Sequence, residues 1–212
     1  MIRDFALLSL CSFILFAAGC ASHRGPTQQD REILAQIAAQ DASRPLADRI
    51  RERESLIDRL QSRESTHREM TRLAALYGEL GTKQAAEGEP AKAQASYEKA
   101  NELDPTNPAY CGILGKLFAD QAAMAGDADT CLRFYEQASE HWRRAVALES
   151  EGDRKAAYRT GAARALYDYA RLLAKAGRKE DALVKLYDAR ELAPPHSDVA
   201  GAIDRLLKDL GR

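Results

Sequence analysis

Few side chains in this 212-residue sequence offer reactive chemistry. Four are cysteines, Cys11, Cys20, Cys111 and Cys131, and four are histidines, His23, His67, His141 and His196. Such groups hold a metal, or act as nucleophile and base, only when spacing or folding brings them together. Here no C-x-x-C and no H-E-x-x-H occurs, and the histidines are scattered and unpaired. Neither the phosphate-cradling G-x-x-x-x-G-K-S/T nor the nucleophile elbow G-x-S-x-G is present. Acidic pairs such as Glu149/Glu151 and Glu180/Asp181 fall at expected helix ends, where solvation or first-turn capping accounts for them. The expectation is a protein with no metal, no cofactor and no catalytic residue, and hence not an enzyme.

The elements that carry these residues are helices. Aromatics make up 7% of the chain, while Ala, Leu, Arg and Glu recur throughout, a composition that favours helix over strand. Charged residues reach 30%, so each helix must keep a solvated face. No alternating Val/Ile/Thr/Tyr run reads as a sheet. Lys plus Arg number 31 and Asp plus Glu 32, for a net charge of -1. Phosphate backbones require a clear basic excess or patch, so nucleic acid is not an expected partner.

Residues 1–19 read as a leader to be set apart from the fold. The run Phe5 to Ala18 is apolar except for Ser9 and Ser12, and Arg3 supplies the positive flank beside Asp4. It is too short to span a bilayer, which takes about 20 helical residues. It ends Phe16-Ala17-Ala18-Gly19-Cys20. This resembles the bacterial lipobox, in which a lipoprotein signal peptidase cuts just before a cysteine that then carries acyl chains, palmitate among them. Ala17 departs from the commoner Leu. The resemblance implies a lipidated Cys20, and Ala21 in place of Asp implies sorting to the outer membrane, facing the periplasm. One acyl chain anchors marginally and two or more hold stably, so a triacylated Cys20 would tether the chain. Residues 20–29, with His23, Gly25, Pro26 and Thr27, read as the tether.

Beyond the tether, 30–70 is a helical segment. Ile33, Leu34 and Ile37 mark one short helix; Pro45 permits a new start, and Leu46, Ile50, Leu56, Ile57 and Leu60 form a thin stripe. The stripe is too brief for three heptads of coiled coil. Positions 61–69 are all polar, with Thr66 and Glu69 spaced as a capping box. The chain either breaks there or passes through as a long helix with a solvated face.

From residue 74 a period emerges. Leu80-Gly81 and Leu114-Gly115 stand 34 residues apart. The first unit, 74–107, runs Tyr77, Leu80, Gly81, Gly88, Ala93, Tyr97, Ala100, Leu103, Asp104, Pro105. This resembles the tetratricopeptide repeat (TPR), with Gln84 standing where the family prefers Tyr. Small Gly81 and Ala93 let two helices approach, and Pro105 ends the second because it lacks an N–H donor. A later unit, 163–196, carries Leu166, Tyr169, Ala170, Leu173, Gly177, Ala182, Leu186, Ala189, Leu192 and Pro194. Between them 108–162 holds 21 surplus residues, read as longer helices from about Ala109 to Ala125 and Ala128 to Leu148, with the next helix starting early near Arg154. The second carries a stripe of Cys131, Tyr135, Ala138, Trp142, Ala145 and Leu148. Ser197 then caps a last amphipathic helix through Val199, Ala202, Ile203, Leu206, Leu207 and Leu210, the lid over 197–211 that a solenoid requires. The predicted architecture is all-α: N-terminal helices, a short TPR-like helical-hairpin solenoid over 74–212, and a capping helix. In that geometry Cys111 and Cys131 stand roughly 15 Å apart, beyond the ~7 Å reach of a disulfide, and read as buried hydrophobes.

In TPR proteins the first helix of each hairpin lines a concave groove. The resemblance places Ala75, Gly78, Thr82, Ala85 and Ala86 there, then Ala109, Gly112, Lys116, Ala119 and Asp120, then Arg164, Tyr167, Arg171, Ala174 and Lys175. The first set is a small-residue wall that would admit a peptide backbone; the third is a basic stripe with one aromatic, to which Lys116 adds. Arg grips carboxylates with paired hydrogen bonds. The expected partner is therefore a protein or peptide segment, acidic or ending in a free C-terminus. The Asn pair of chaperone-binding TPR clamps is missing. The expected role is an envelope adaptor tethered by Cys20, with a homo-oligomeric spacer as the alternative.

Overall fold

The structure is a computed structural model, and it describes residues 26–38, 44–60 and 62–211. The leader, Cys11, Cys20 and most of the 20–29 tether lie outside the described residues. Every element described is an α-helix: α1 (Gln28–Ala38), α2 (Leu46–Ile57), α3 (Arg63–Ala86), α4 (Pro90–Leu103), α5 (Pro108–Met124), α6 (Ala128–Leu148), α7 (Asp153–Lys175), α8 (Lys179–Leu192) and α9 (Asp198–Leu210). The chain divides into two compact units, residues 1–69 and 70–212.

In the first unit α1 takes in Gln28 and Gln29, which the sequence reading assigns to the tether. The reason is local: Thr27 Oγ1 accepts from the Asp30 amide at 3.0 Å, and the Asp30 carboxylate accepts from the Thr27 amide at 3.3 Å. This reciprocal cap satisfies two otherwise unpaired donors. Ile37, Ile50 and Leu56 are buried. So are Arg53 and Glu69, which form an ion pair between α2 and α3. Within the polar run Ser62, Ser65 and Glu69 are buried, while Arg63, Glu64, His67 and Arg68 are exposed, so α3 begins with one buried and one solvated side. Burying a charge is costly unless its opposite is buried beside it, and Arg53 supplies that. The cap also differs from expectation: Ser62 Oγ accepts from the Ser65 amide at 3.1 Å, and Thr66 instead donates its hydroxyl to the Ser62 carbonyl at 3.0 Å.

The second unit is a run of helical hairpins. α4 packs on α5, α5 on α6, α6 on α7 and α7 on α8, with α9 against both α7 and α8. Each second helix repeats one triplet: Ala93-Tyr97-Ala100 on α4, Ala138-Trp142-Ala145 on α6 and Ala182-Leu186-Ala189 on α8, with all six alanines fully buried. A methyl group seven residues from its twin lets a neighbouring helix lie close along two turns, and the large residue between fills the seam. The triplets stand 45 and 44 residues apart, so the 21 surplus residues divide almost equally between the two intervals. They lengthen α6 to 21 residues and α7 to 23, against 14 for α4 and α8.

Trp142 fits because it lies against two glycines. A Cβ at Gly115 of α5 would stand 2.8 Å from its ring, and one at Gly161 of α7 would stand 2.7 Å away. Gly161 sits in the interior of α7, where the absent side chain leaves room for the indole. Two hairpin turns are alike: Gly88 and Gly177 adopt φ of 77° and 76°, and the residue after each donates back into the helix, Glu89 to Gln84 at 2.9 Å and Arg178 to Leu173 at 2.9 Å. A left-handed residue at this position favours glycine. At the far end Ser197 Oγ accepts from the Ala200 amide at 3.3 Å, and Val199 and Ile203 bury into the cluster of Leu166, Leu173 and Leu186.

Candidate functional site

The groove residues inferred from sequence meet different fates. Around α3, Ala75, Ala85 and Ala86 are exposed, but Gly78 is covered: a Cβ there would lie 3.0 Å from the Tyr110 ring. Gly112 is likewise buried under Tyr158, whose ring would be 2.5 Å from an added Cβ. The expected bare wall is therefore interrupted by Tyr110 of α5, and Tyr158 of α7 fills the corresponding space at Gly112 in the second set. Thr82 is exposed, with its hydroxyl bonded to the Gly78 carbonyl at 3.0 Å and to the Tyr97 hydroxyl at 2.9 Å. Gln84, the departure from the TPR pattern, accepts from Ser96 Oγ at 2.7 Å and so ties α3 to α4.

Lys116 and Asp120 are exposed but pair with each other at 2.8 Å, one turn apart on α5. They neutralise each other, so Lys116 does not extend the basic stripe in the way expected.

On α7 the charges do gather. Ala163, Leu166, Ala170 and Leu173 are buried, and this fixes the helix rotation. Arg164, Asp168, Arg171 and Lys175 then follow at steps of four, three and four, which places them on one outward ridge. Arg164 and Lys175 are exposed and make no ion pair among the described residues. Arg171 pairs with Asp168 at 3.4 Å. Tyr167 is half-buried against the core of the last hairpin, so it flanks the ridge without standing on it.

Asp168 was not singled out in the sequence. Its side chain is 23% exposed, and burial holds its carboxyl above the usual range against the opposing pull of Arg171 and Arg164. Tyr135 of α6 shares this environment. Burial raises its hydroxyl first and the Asp168 charge next, while Arg171 opposes them. The signal was present: the 164, 168, 171 spacing is visible once acids are mapped on the face along with bases.

Cys111 Sγ donates to Asn101 Oδ1 at 3.2 Å, and Cys131 Sγ donates to the Ala122 carbonyl at 3.3 Å. Ala122 is eleven residues, about 16 Å, along α5 from Cys111. His141 stacks on Phe118 with centroids 5.3 Å apart, and its Nδ1 is buried with no hydrogen-bond partner among the described residues. Among the described residues no three His, Cys, Asp or Glu side chains converge as metal ligands would, and no helix is long and apolar enough to cross a membrane.

No family model matches the chain, and no curated protein matches it. Solved structures with some likeness include the N-terminal domain of stress-induced protein-1 (STI-1) from C. elegans, 20% identical, covering 68% of this chain and 98% of that one, TM-score 0.42. MamA is 17% identical, covering 78% of this chain and 81% of its own, TM-score 0.33. The assembly chaperone of RpL4 (Acl4) is 16% identical, with 87% of this chain and 58% of that one covered, TM-score 0.32. No function carries over to this chain at such values.

Proposed function

We propose that the chain is a non-catalytic adaptor that binds another protein through the α7 ridge while a lipidated Cys20 tethers it in the bacterial cell envelope, at the outer membrane facing the periplasm. The observation that carries the binding half is the ridge itself. Arg164 and Lys175 stand exposed without an ion-pair partner among the described residues, on a helix whose other face is locked into the core. A rigid helix presenting arginines is suited to carboxylates, because guanidinium donors are planar and permanently charged. The partner is therefore an acidic or C-terminal segment of a protein. The tethering half rests on the sequence Phe16-Ala17-Ala18-Gly19-Cys20-Ala21.

The test is charge reversal. Arg164→Glu with Arg171→Glu, shown by circular dichroism to be folded, abolishes capture of the partner by the tagged full-length protein in cells. Unchanged capture overturns the α7 reading.

A specific observation favours a second reading, the homo-oligomeric spacer. Val184 and Tyr187 on α8 are 57% and 60% exposed and lie one turn apart, an apolar pair that a second copy would cover. Light scattering on residues 20–212 with Cys20 replaced separates the two: a monomer excludes the spacer.

A further inference from the structure

We infer that the α7 ridge selects an extended segment whose carboxylates stand three residues apart. This rests on the proposed reading of α7 and adds its register. Arg164 and Arg171 are seven residues apart, about 10.5 Å along the helix axis. A segment in the polyproline II conformation returns to the same side every three residues, about 9.3 Å further on. Two carboxylates at that interval meet both guanidinium groups at once. Two adjacent carboxylates point to different sides and meet one.

Asp168 lies between the two arginines on the same ridge and faces Arg171 at 3.4 Å, largely withdrawn from solvent. In polyproline II the two residues between the contacting pair point to other sides, so the ridge reads the ends of the interval. The occupant is extended because a bound helix is recognised through apolar anchors. The exposed large apolar side chains among the described residues are Met124, Leu148, Val184 and Tyr187, none of them on α7.

The test uses the full chain in detergent micelles and fluorescein-labelled nonapeptides, read by fluorescence anisotropy at about 10 mM salt, where screening is weak. A peptide with Glu-Pro-Pro-Glu at its centre binds about tenfold tighter than one of equal charge with its two glutamates adjacent. Affinity that follows net charge whatever the spacing overturns the register while leaving the α7 reading standing. So does tighter binding of a helical peptide with glutamates seven apart. Failure of every acidic peptide to bind overturns the α7 reading itself, and the register with it.

Discussion

Trp142 is held between Gly115 and Gly161, and the consequences of filling either gap are specific. A methyl at Gly161 would lie 2.7 Å from the indole. Alanine in mid-helix gains up to about 1 kcal/mol over glycine, but overpacking against a rigid ring costs about 1–3 kcal/mol. The clash wins, and Gly161→Ala lowers the midpoint of urea unfolding. Gly126→Ala is the control, since nothing lies within 4 Å of a Cβ there; equal effects at the two sites would refute the packing argument. His141 offers a second residue-scale test. Its imidazole is held below the ordinary range mainly by burial, with Arg144 adding to the depression and Glu140 and Glu98 of α4 opposing it. Unfolded, it titrates near 6.5. As pH falls through that value the unfolded chain takes up a proton that the folded chain refuses, so stability falls until the folded histidine also protonates. Unfolding midpoints at pH 7.5 and 5.5 differ more for the wild type than for His141→Phe, which keeps the stack on Phe118. Identical differences would remove His141 from the account.

At the scale of elements, the alanine triplets explain both what sequence made legible and what it hid. Gly81, Gly115 and the 34-residue interval were readable because close helix approach demands small residues at fixed places. The longer α6 was readable because Tyr135, Ala138, Trp142 and Ala145 keep one stripe across the surplus. The coverage of Gly78 by Tyr110 and of Gly112 by Tyr158 was not, since it depends on how one hairpin sits on the next. Nor was the burial of Glu69, because a carboxylate in a polar run betrays nothing of an arginine sixteen residues earlier. The exposure of Arg164, Arg171 and Lys175 was legible, whereas the pairing of Lys116 with Asp120 and the placing of Asp168, which depends on the rotation of α7, were not. The lid makes its own prediction. Ile203 of α9 is fully buried in the last core cluster, and large-to-small changes at such sites cost about 2–5 kcal/mol. Ile203→Ala therefore lowers the unfolding midpoint sharply, whereas Asp209→Ala on the exposed face of α9 leaves it in place. Equal midpoints for the two variants would mean that α9 does not close the solenoid.

For the whole molecule, the proposal joins a modest binding face to an anchor. A single charged ridge is expected to bind weakly, and confinement to one membrane surface raises the effective concentration of the partner. Cys20→Ser accordingly moves the protein from the membrane to the soluble fraction and weakens capture without altering the fold; retention in the membrane fraction would contradict lipidation at Cys20. The central claim is tested most directly by in-cell cross-linking of the tagged full-length protein through its lysines, with mass spectrometric mapping of the linked residues. The account predicts one or two dominant envelope proteins joined at Lys175, next to an acidic segment of the partner. Links confined to Lys179 and Lys185 of α8, or to further copies of the chain itself, would contradict it.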